Sequence, residues 1–121
     1  MHYDDIVYYS QNRSNPPPKR EPGIEALYRD VRKRENYAID LYHELFPSTD
    51  VEWTVTLNKY PYHFVDDTVH YLIWYRGSMR YEDFKDILNE LGVVHFENEP
   101  SEKSVPTIGH IHVFLRSPDA C

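Results

Sequence analysis

Two histidines separated by one residue lie near the end of the chain, in the stretch KSVPTIGHIHVFLRSP (103–118). Residues two apart on a β-strand point to the same side of the sheet, so His110 and His112 should lie side by side. A neutral imidazole can act as a nucleophile or as an acid–base group near neutral pH, and two can supply part of a metal site. The same pattern also fits two polar residues on the solvent side of a sheet.

Further candidate ligand-binding side chains precede this pair. Asn58 follows an apolar stretch, His70 lies among aromatic and branched residues, and Asn98 and Ser104 lie in the polar loop ENEPSEKSVP. Each has a structural alternative, since an asparagine can form a turn and a histidine can be a buried, hydrogen-bonded core residue. A metal site needs three or four ligands in one place; His95 or Glu97 could complete one with the pair, but no third ligand stands at a diagnostic spacing, so a metal site ranks below phosphate chemistry. We therefore predict no metal.

Periodicity predicts the elements that would hold these residues. Apolar residues at three- and four-residue spacing predict helix over 22–45, with a break near Glu35–Asn36, and over 78–92, where Gly92 ends it. Alternating or β-branched stretches predict four strands, at 51–57, 68–77, 93–97 and 107–115. Short connections favour antiparallel pairing. The predicted class is α+β, with an antiparallel sheet of at least four strands and two main helices.

Alternation within the strands predicts which sides are buried. In the last strand one side is small and aliphatic and should meet the helices, namely Gly109, Ile111, Val113 and Leu115. The opposite side is mixed and fits a ligand-binding or partly exposed face, namely Ile108, His110, His112 and Phe114. In the first strand Trp53, Val55 and Leu57 alternate with polar residues, which is the pattern of a half-buried strand.

Composition divides the chain into an arm and one domain. Residues 1–21 are polar and proline-rich after an apolar head, so we expect an extended N-terminal arm that could pack on the domain as an edge strand or dock to a partner. Residues 22–118 have the size of a single α+β domain, and 119–121 form a tail.

Charge and cysteine content limit the partners and the compartment. The net charge is −7, so binding to nucleic acid is disfavoured, and the basic cluster of Arg29, Arg32, Lys33 and Arg34 is interpreted as a solvated helix face. The single cysteine, Cys121, permits no internal disulfide, and no apolar run is long enough to span a bilayer. Cytoplasmic or nuclear residence, without a membrane partner, is expected. The oligomeric state is not determined by these features.

Residues 55–75 and 93–118 together resemble the fungal N-acetylglucosamine-induced protein family. With the helical residues 22–45, which match more loosely, the resemblance covers about four-fifths of the chain. That pattern reads Leu-Asn-x-x-Pro-Tyr, then His-Leu-x-x-Trp, an aromatic residue with Asn, Ser-Val, and a closing His-x-His-Val. The matching positions here are Leu57, Asn58, Pro61, Tyr62, His70, Tyr71 in place of Leu, Trp74, Phe96, Asn98, Ser104, Val105, His110, His112 and Val113.

The same order of motifs resembles a reduced form of the histidine-triad (HIT) proteins, which hydrolyse or transfer nucleoside phosphates. The resemblance implies a HIT-like fold in which a histidine attacks phosphorus and forms a phosphoramidate, stabilised by imidazole and backbone donors. The residues that would contact the ligand are Asn58, His70, Asn98 and Ser104, and no cofactor is implied.

The triad itself is incomplete. In one alignment frame Ile108 replaces the first histidine, His110 is the nucleophile and His112 its neighbour; in the other, His112 is the nucleophile and Phe114 replaces the third histidine. SEKSV also replaces the Gly-Gln-Ser loop that donates to phosphate in those proteins. Two functions are therefore consistent with the sequence. One is a domain that binds a nucleotide or another phosphorylated small molecule, with hydrolase or transferase activity. The other is a noncatalytic protein that docks in an assembly through its arm.

Overall fold

The computed structural model describes residues 1–48, 50–97 and 108–116, so Asn98, Ser104 and the predicted tail lie outside the described residues. The elements follow in the order α1 (Tyr3–Gln11), α2 (Pro22–Arg32), α3 (Tyr37–Leu45), β1 (Trp53–Leu57), β2 (Val69–Tyr75), α4 (Glu82–Leu91), β3 (Val94–Glu97) and β4 (Gly109–Leu115). The four strands form one antiparallel sheet, which confirms the predicted α+β class, with four described helices rather than two. None of the described helices is both long and apolar enough to cross a bilayer.

The last strand lies inside the sheet. The spatial order is β1-β2-β4-β3, so β4 pairs with β2 on one side and with β3 on the other. In this register His112 stands opposite Leu72 and His110 opposite Trp74. His70, on β2, is therefore a diagonal neighbour of His112 on the same face. The topology places all three histidines on the two central strands.

Helix α4 covers the aliphatic face, as the alternation predicts. Phe84 and Leu88 of α4 pack against sheet residues that include Ile111 and Val113. Gly92 ends the helix in the left-handed conformation, with φ of 71°, which a residue without Cβ adopts at low cost. The predicted stop at this glycine is confirmed.

The histidine face is also covered by helices, so the predicted partial exposure of this face is wrong. Helix α1 packs against Phe96 and Phe114, and the segment that ends α3 packs through Phe46 against Leu72 and Trp74. Only 7% of His110 and 2% of His112 remain exposed. A three-layer arrangement has replaced the expected open face, because α1, from the predicted arm, and the end of α3 together supply the third layer.

Helix α1 corrects the prediction for the N-terminal arm. Residues 3–11 are helical rather than extended, and Ile6 is completely buried. The prolines that favour an extended chain begin only at Pro16, and the Asp5 carboxylate accepts a hydrogen bond from the His2 backbone amide at 2.8 Å, which caps the helix start. Ile6 and Tyr9 are three residues apart, so both face the sheet.

The apolar side of strand β1 is more exposed than the alternation predicts. The apolar residues Trp53, Val55 and Leu57 are 50%, 50% and 61% exposed, whereas Thr54 and Thr56 point toward the helix-covered histidine face. The Thr56 hydroxyl accepts a hydrogen bond from the Trp74 indole N–H at 2.8 Å. Trp53, Val55 and Leu57 lie on the α4 side of the sheet, where Trp53 contacts Phe84 with ring centroids 5.9 Å apart. They stay partly exposed because β1 is an edge strand that α4 covers only in part.

The helical stretch predicted over 22–45 is interrupted as expected. Helix α2 ends at Arg32 and α3 begins at Tyr37, so the break near Glu35–Asn36 is confirmed. No residue of α2 is buried, whereas the segment after α3 contributes Phe46 to the core. The consequence is that α2 stands off the sheet and leaves space beside the histidines.

Truncation of Ile6 tests whether α1 belongs to the folded core. We expect Ile6→Ala to lower the free energy of unfolding by about 2–5 kcal/mol, because it leaves a cavity against Phe96 and Phe114. Tyr8→Ala is the matched control, since Tyr8 is 60% exposed on the same helix and should change stability by about 0.5 kcal/mol or less. Urea denaturation measures both. Equal stability of the two variants would show that α1 is not packed in solution.

Candidate functional site

Two of the predicted site residues, His70 and His112, are buried and joined by a direct hydrogen bond. Nε2 of His70 lies 2.8 Å from Nδ1 of His112. The backbone N–H of Tyr62 points at the other ring nitrogen of His70, Nδ1, at 3.3 Å. The sheet register explains the approach, because His70 and His112 occupy diagonal positions on adjacent central strands.

A backbone amide at one end of this chain of bonds assigns the ring hydrogens. A backbone N–H can only donate, so Nδ1 of His70 accepts, and the single hydrogen of the neutral ring lies on Nε2. That hydrogen is donated to Nδ1 of His112, whose own hydrogen must then lie on Nε2. These two hydrogen bonds therefore hold His112 in the tautomer that accepts at Nδ1 and donates at Nε2.

Burial and positive charge keep both rings neutral. Burial lowers the pKa of His70 to about 3, with the charge of Arg20 and then that of His110 acting in the same direction. The pKa of His112 also lies well below its ordinary value, first because the ring is buried and then because of His70 and His110. At physiological pH both imidazoles are thus uncharged.

Aromatic rings hold His112 in place. Tyr62 and Phe96 both stack on it, with ring centroids 5.5 and 5.2 Å away. Tyr62 also contacts His70 at 4.7 Å. A ring fixed by stacking and by a hydrogen bond loses little further freedom when a ligand binds, so the site is preorganised.

Asn58 lies against His70 but also performs the turn role that the sequence left open. Its Nδ2 is 3.4 Å from both ring nitrogens of His70, so the amide faces the ring rather than one nitrogen. Its Oδ1 accepts a hydrogen bond from the Tyr60 backbone N–H at 2.9 Å, which shapes the turn after β1. The residue thus links the loop to the histidine cluster.

His110 is the second imidazole of the strand pair and lies beside the cluster. Its ring centroid is 5.3 Å from that of His112 and 5.3 Å from that of Trp74. His110 and His112 both line a cavity of about 280 Å³ between the sheet and helices α2 and α3, which we call the inner cavity. The structure therefore brings Asn58, His70, His110 and His112 to one region.

The inner cavity is polar, aromatic and positive on balance. Its charged lining residues are Arg20, Arg34 and Lys59 against Asp40 and Glu44. The remaining lining includes four aromatic residues, Tyr28, Tyr37, Tyr60 and Trp74. Convergent polar groups within an aromatic wall are typical of small-molecule sites.

Arg20 is the site residue that the sequence does not indicate. Its Nε donates to the Tyr60 backbone carbonyl at 2.6 Å, and its Nη1 lies 3.2 Å from a Glu25 carboxylate oxygen. The guanidinium stacks over Tyr28 at 4.2 Å, and the side chain is only 17% exposed. In the sequence Arg20 belongs to a proline-rich segment far from the histidines, so no local pattern connects it to them. Only the folded chain does.

All four residues of the basic cluster at the end of α2 are exposed, as the interpretation of a solvated face predicts, but three of them also line cavities. Arg34 lines the inner cavity, and Arg29 and Arg32 line a neighbouring one. Arg29 remains 69% exposed, so solvation and cavity lining coexist there.

The described residues contain no group of three or more His, Cys, Asp or Glu side chains arranged to hold a metal ion. The mutual contact of His70 and His112 occupies one nitrogen of each ring. The roles predicted for Asn98 and Ser104 fall outside the described residues and stay predictions.

Comparison with known proteins supports the fold and no more. No protein-family model matches the chain, and no curated protein matches it. A solved structure, "Crystal Structure of HTC1", is similar to the chain with a TM-score of 0.78 and 20% identity, over 99% of this chain and 87% of that one. At this identity the likeness establishes an α+β fold with this arrangement of elements.

Acid should destabilise the protein through His70. The unfolded chain takes up a proton near the ordinary histidine pKa of 6.5, whereas the folded chain does so only near 3. His70 therefore makes its full contribution to the free energy of unfolding above about pH 6.5. As the pH drops from there toward about 3, this contribution decreases by about 1.4 kcal/mol per pH unit. Urea denaturation at a series of pH values measures the slope.

A matched pair of variants separates His70 from other titrating groups. His70→Gln should be less stable at pH 7 but should lose part of the slope below pH 6.5. His63→Gln, at an exposed histidine, should keep the full slope. An unchanged slope in His70→Gln would contradict the assignment. Nitrogen-15 spectra of the histidine rings test the tautomers independently and should place hydrogen on Nε2 of both His70 and His112.

Proposed function

We propose that the chain binds a phosphorylated small molecule, such as a nucleotide, over its histidine face, and that His110 can act there as a nucleophile toward phosphorus. The proposal rests on the two consecutive hydrogen bonds that run from the Tyr62 amide through His70 to His112. His112 lies beside His110 at the wall of the inner cavity. The HIT-like motif order supports the same interpretation.

The charge of the cavity favours an anionic ligand. The whole chain has a net charge of −7, yet the inner cavity has three basic and two acidic lining residues. An arginine held over an aromatic ring, as Arg20 is over Tyr28, presents planar donors suited to phosphate oxygens. Such a local reversal of sign concentrates anions at the site.

The two strand histidines would have different roles. Because His112 accepts at Nδ1, its remaining ring nitrogen carries a hydrogen and serves as a donor to a phosphate oxygen. This supports the alignment frame in which His110 is the nucleophile. A neutral nitrogen of His110 would form a bond to phosphorus as the bond to the leaving oxygen breaks, and water would then hydrolyse the phosphoramidate.

The aromatic wall favours a ligand with a ring or sugar attached to phosphate. Tyr28, Tyr37, Tyr60 and Trp74 offer stacking surfaces, and Asp40 and Glu44 offer acceptors for hydroxyl or amino groups. Inorganic phosphate alone would leave these groups unused.

The partner-docking alternative receives less support. It depends on the apolar residues of the arm, but Ile6 and Tyr9 are used inside the chain, where they pack against the sheet. We therefore place ligand binding first.

Activity and binding should separate in a His110 variant. With nucleoside phosphoramidates, dinucleoside polyphosphates and sugar nucleotides as probes, we expect His110→Ala to lower turnover by about 100-fold or more, because the attacking group is lost. Affinity should change by only a few-fold, since the cations and aromatic residues remain. Turnover is followed by phosphorus NMR, and affinity by titration calorimetry.

His63→Ala, at an exposed histidine, is the control and should keep both binding and turnover. Binding without turnover in the unaltered protein would remove the catalytic part of the proposal. Absence of binding to every probe would overturn the whole.

A further inference from the structure

A second cavity, of about 580 Å³, adjoins the histidine pair from another direction; we call it the outer cavity. It shares Arg20, Tyr28, His110 and His112 with the inner cavity. Its outer wall consists of the segment Pro16–Lys19 together with α2. The ligand groups held in the two cavities would therefore meet at the histidines.

The outer cavity is the more strongly basic of the two. Its cations are Lys19, Arg20, Arg29 and Arg32, and its one carboxylate among the described lining residues is Glu25. Four positive charges and one negative charge leave +3, in a chain whose net charge is −7. This concentration of positive charge lies next to His110, the proposed nucleophile toward phosphorus. It therefore favours a ligand with further phosphate oxygens.

The carboxylate is engaged by two of these cations. Glu25 contacts Arg20 and Arg29 through different oxygens, both at 3.2 Å. Among the ion pairs formed within the described parts of the chain, none joins Lys19 or Arg32 to an acid. Arg32 instead lies over the Tyr28 ring at 5.1 Å. Lys19 and Arg32 are thus the cations whose charge Glu25 does not neutralise.

The segment that carries Lys19 and Arg20 is held to the loop between β1 and β2. The Lys19 carbonyl accepts a hydrogen bond from the His63 backbone N–H at 3.0 Å, and Arg20 donates to the Tyr60 carbonyl at 2.6 Å. The three prolines before Lys19 have restricted φ, which limits the freedom of this segment. The backbone of Lys19 and the side chain of Arg20 are therefore fixed beside the cavity.

We propose that the outer cavity is a second phosphate subsite, so that the ligand carries two or more linked phosphate groups. This rests on the proposed function. One phosphate lies at His110, and the next is bound by Lys19 and Arg32. The segment 16–20 thereby supplies donors to phosphate from the N-terminal side of the chain.

Phosphate and pyrophosphate test the subsite without any contribution from an organic group. We expect the unaltered protein to bind pyrophosphate about 10-fold or more tighter than phosphate, because only pyrophosphate reaches both cavities. In Lys19→Ala/Arg32→Ala this ratio should fall to about 3-fold or less, with little change for phosphate. Titration calorimetry at low salt measures both affinities, and circular dichroism verifies that α2 is retained.

Lys33→Ala/Arg80→Ala is the matched control, since it removes the same charge at exposed residues that do not line the outer cavity. It should keep the pyrophosphate preference. A preference below 3-fold in the unaltered protein, absence of binding to pyrophosphate, or equal loss in both double variants would overturn the subsite. If nucleotides or sugar phosphates still bind while pyrophosphate shows no preference, the subsite fails and the proposed function stands.

Discussion

The hydrogen bond between His70 and His112 is the interaction on which the site depends. It joins two imidazoles that are almost removed from water, at 3% and 2% exposure. A buried pair of this kind is stable only while both rings are neutral, since a charged imidazole would have to be desolvated. The Tyr62 amide and the Arg20 charge both favour that state, one by requiring an acceptor and the other by repelling a proton.

The helices that cover the histidine face set the pKa values and tautomers of its imidazoles as well as shielding them from solvent. If the face were open to solvent, the histidine pKa values would stay near 6.5 and the tautomers would exchange with water. Helix α1 and the end of α3 close the face with Ile6, Tyr9 and Phe46, while α2 stays far enough away to leave the inner cavity. The same segment of chain that leads into α2 brings Arg20 to the cluster. Packing, electrostatics and ligand access are therefore set by one layer of helices.

The distribution of charge follows from this arrangement. An acidic chain would repel phosphate on average, but five of the six cations of residues 19–34, all except Lys33, line the cavities beside the histidines. Screening by salt limits the reach of the other charges to roughly 8–10 Å, so the local sign decides what enters the site.

Local patterns determined the elements and the relative sides of their residues. Alternation is enough to place His110 and His112 on one face, and proline, glycine and apolar spacing are enough to locate the helix break and the stop at Gly92. The α+β class and the antiparallel sheet follow from the order and spacing of these elements. Such signals are contained within short stretches of chain, which is why they can be read without the fold.

Tertiary structure alone decided which faces are covered and which residues meet. The burial of the histidines, the docking of α1 through Ile6, the exposure of the apolar side of β1 and the contact of Arg20 with the site all depend on segments distant in sequence. Alternation along a strand predicts that two side chains lie on the same side of the sheet, but it does not predict which element covers that side. That is settled by competition among all the chain's apolar surfaces for burial, so it becomes visible only when the layers are assembled.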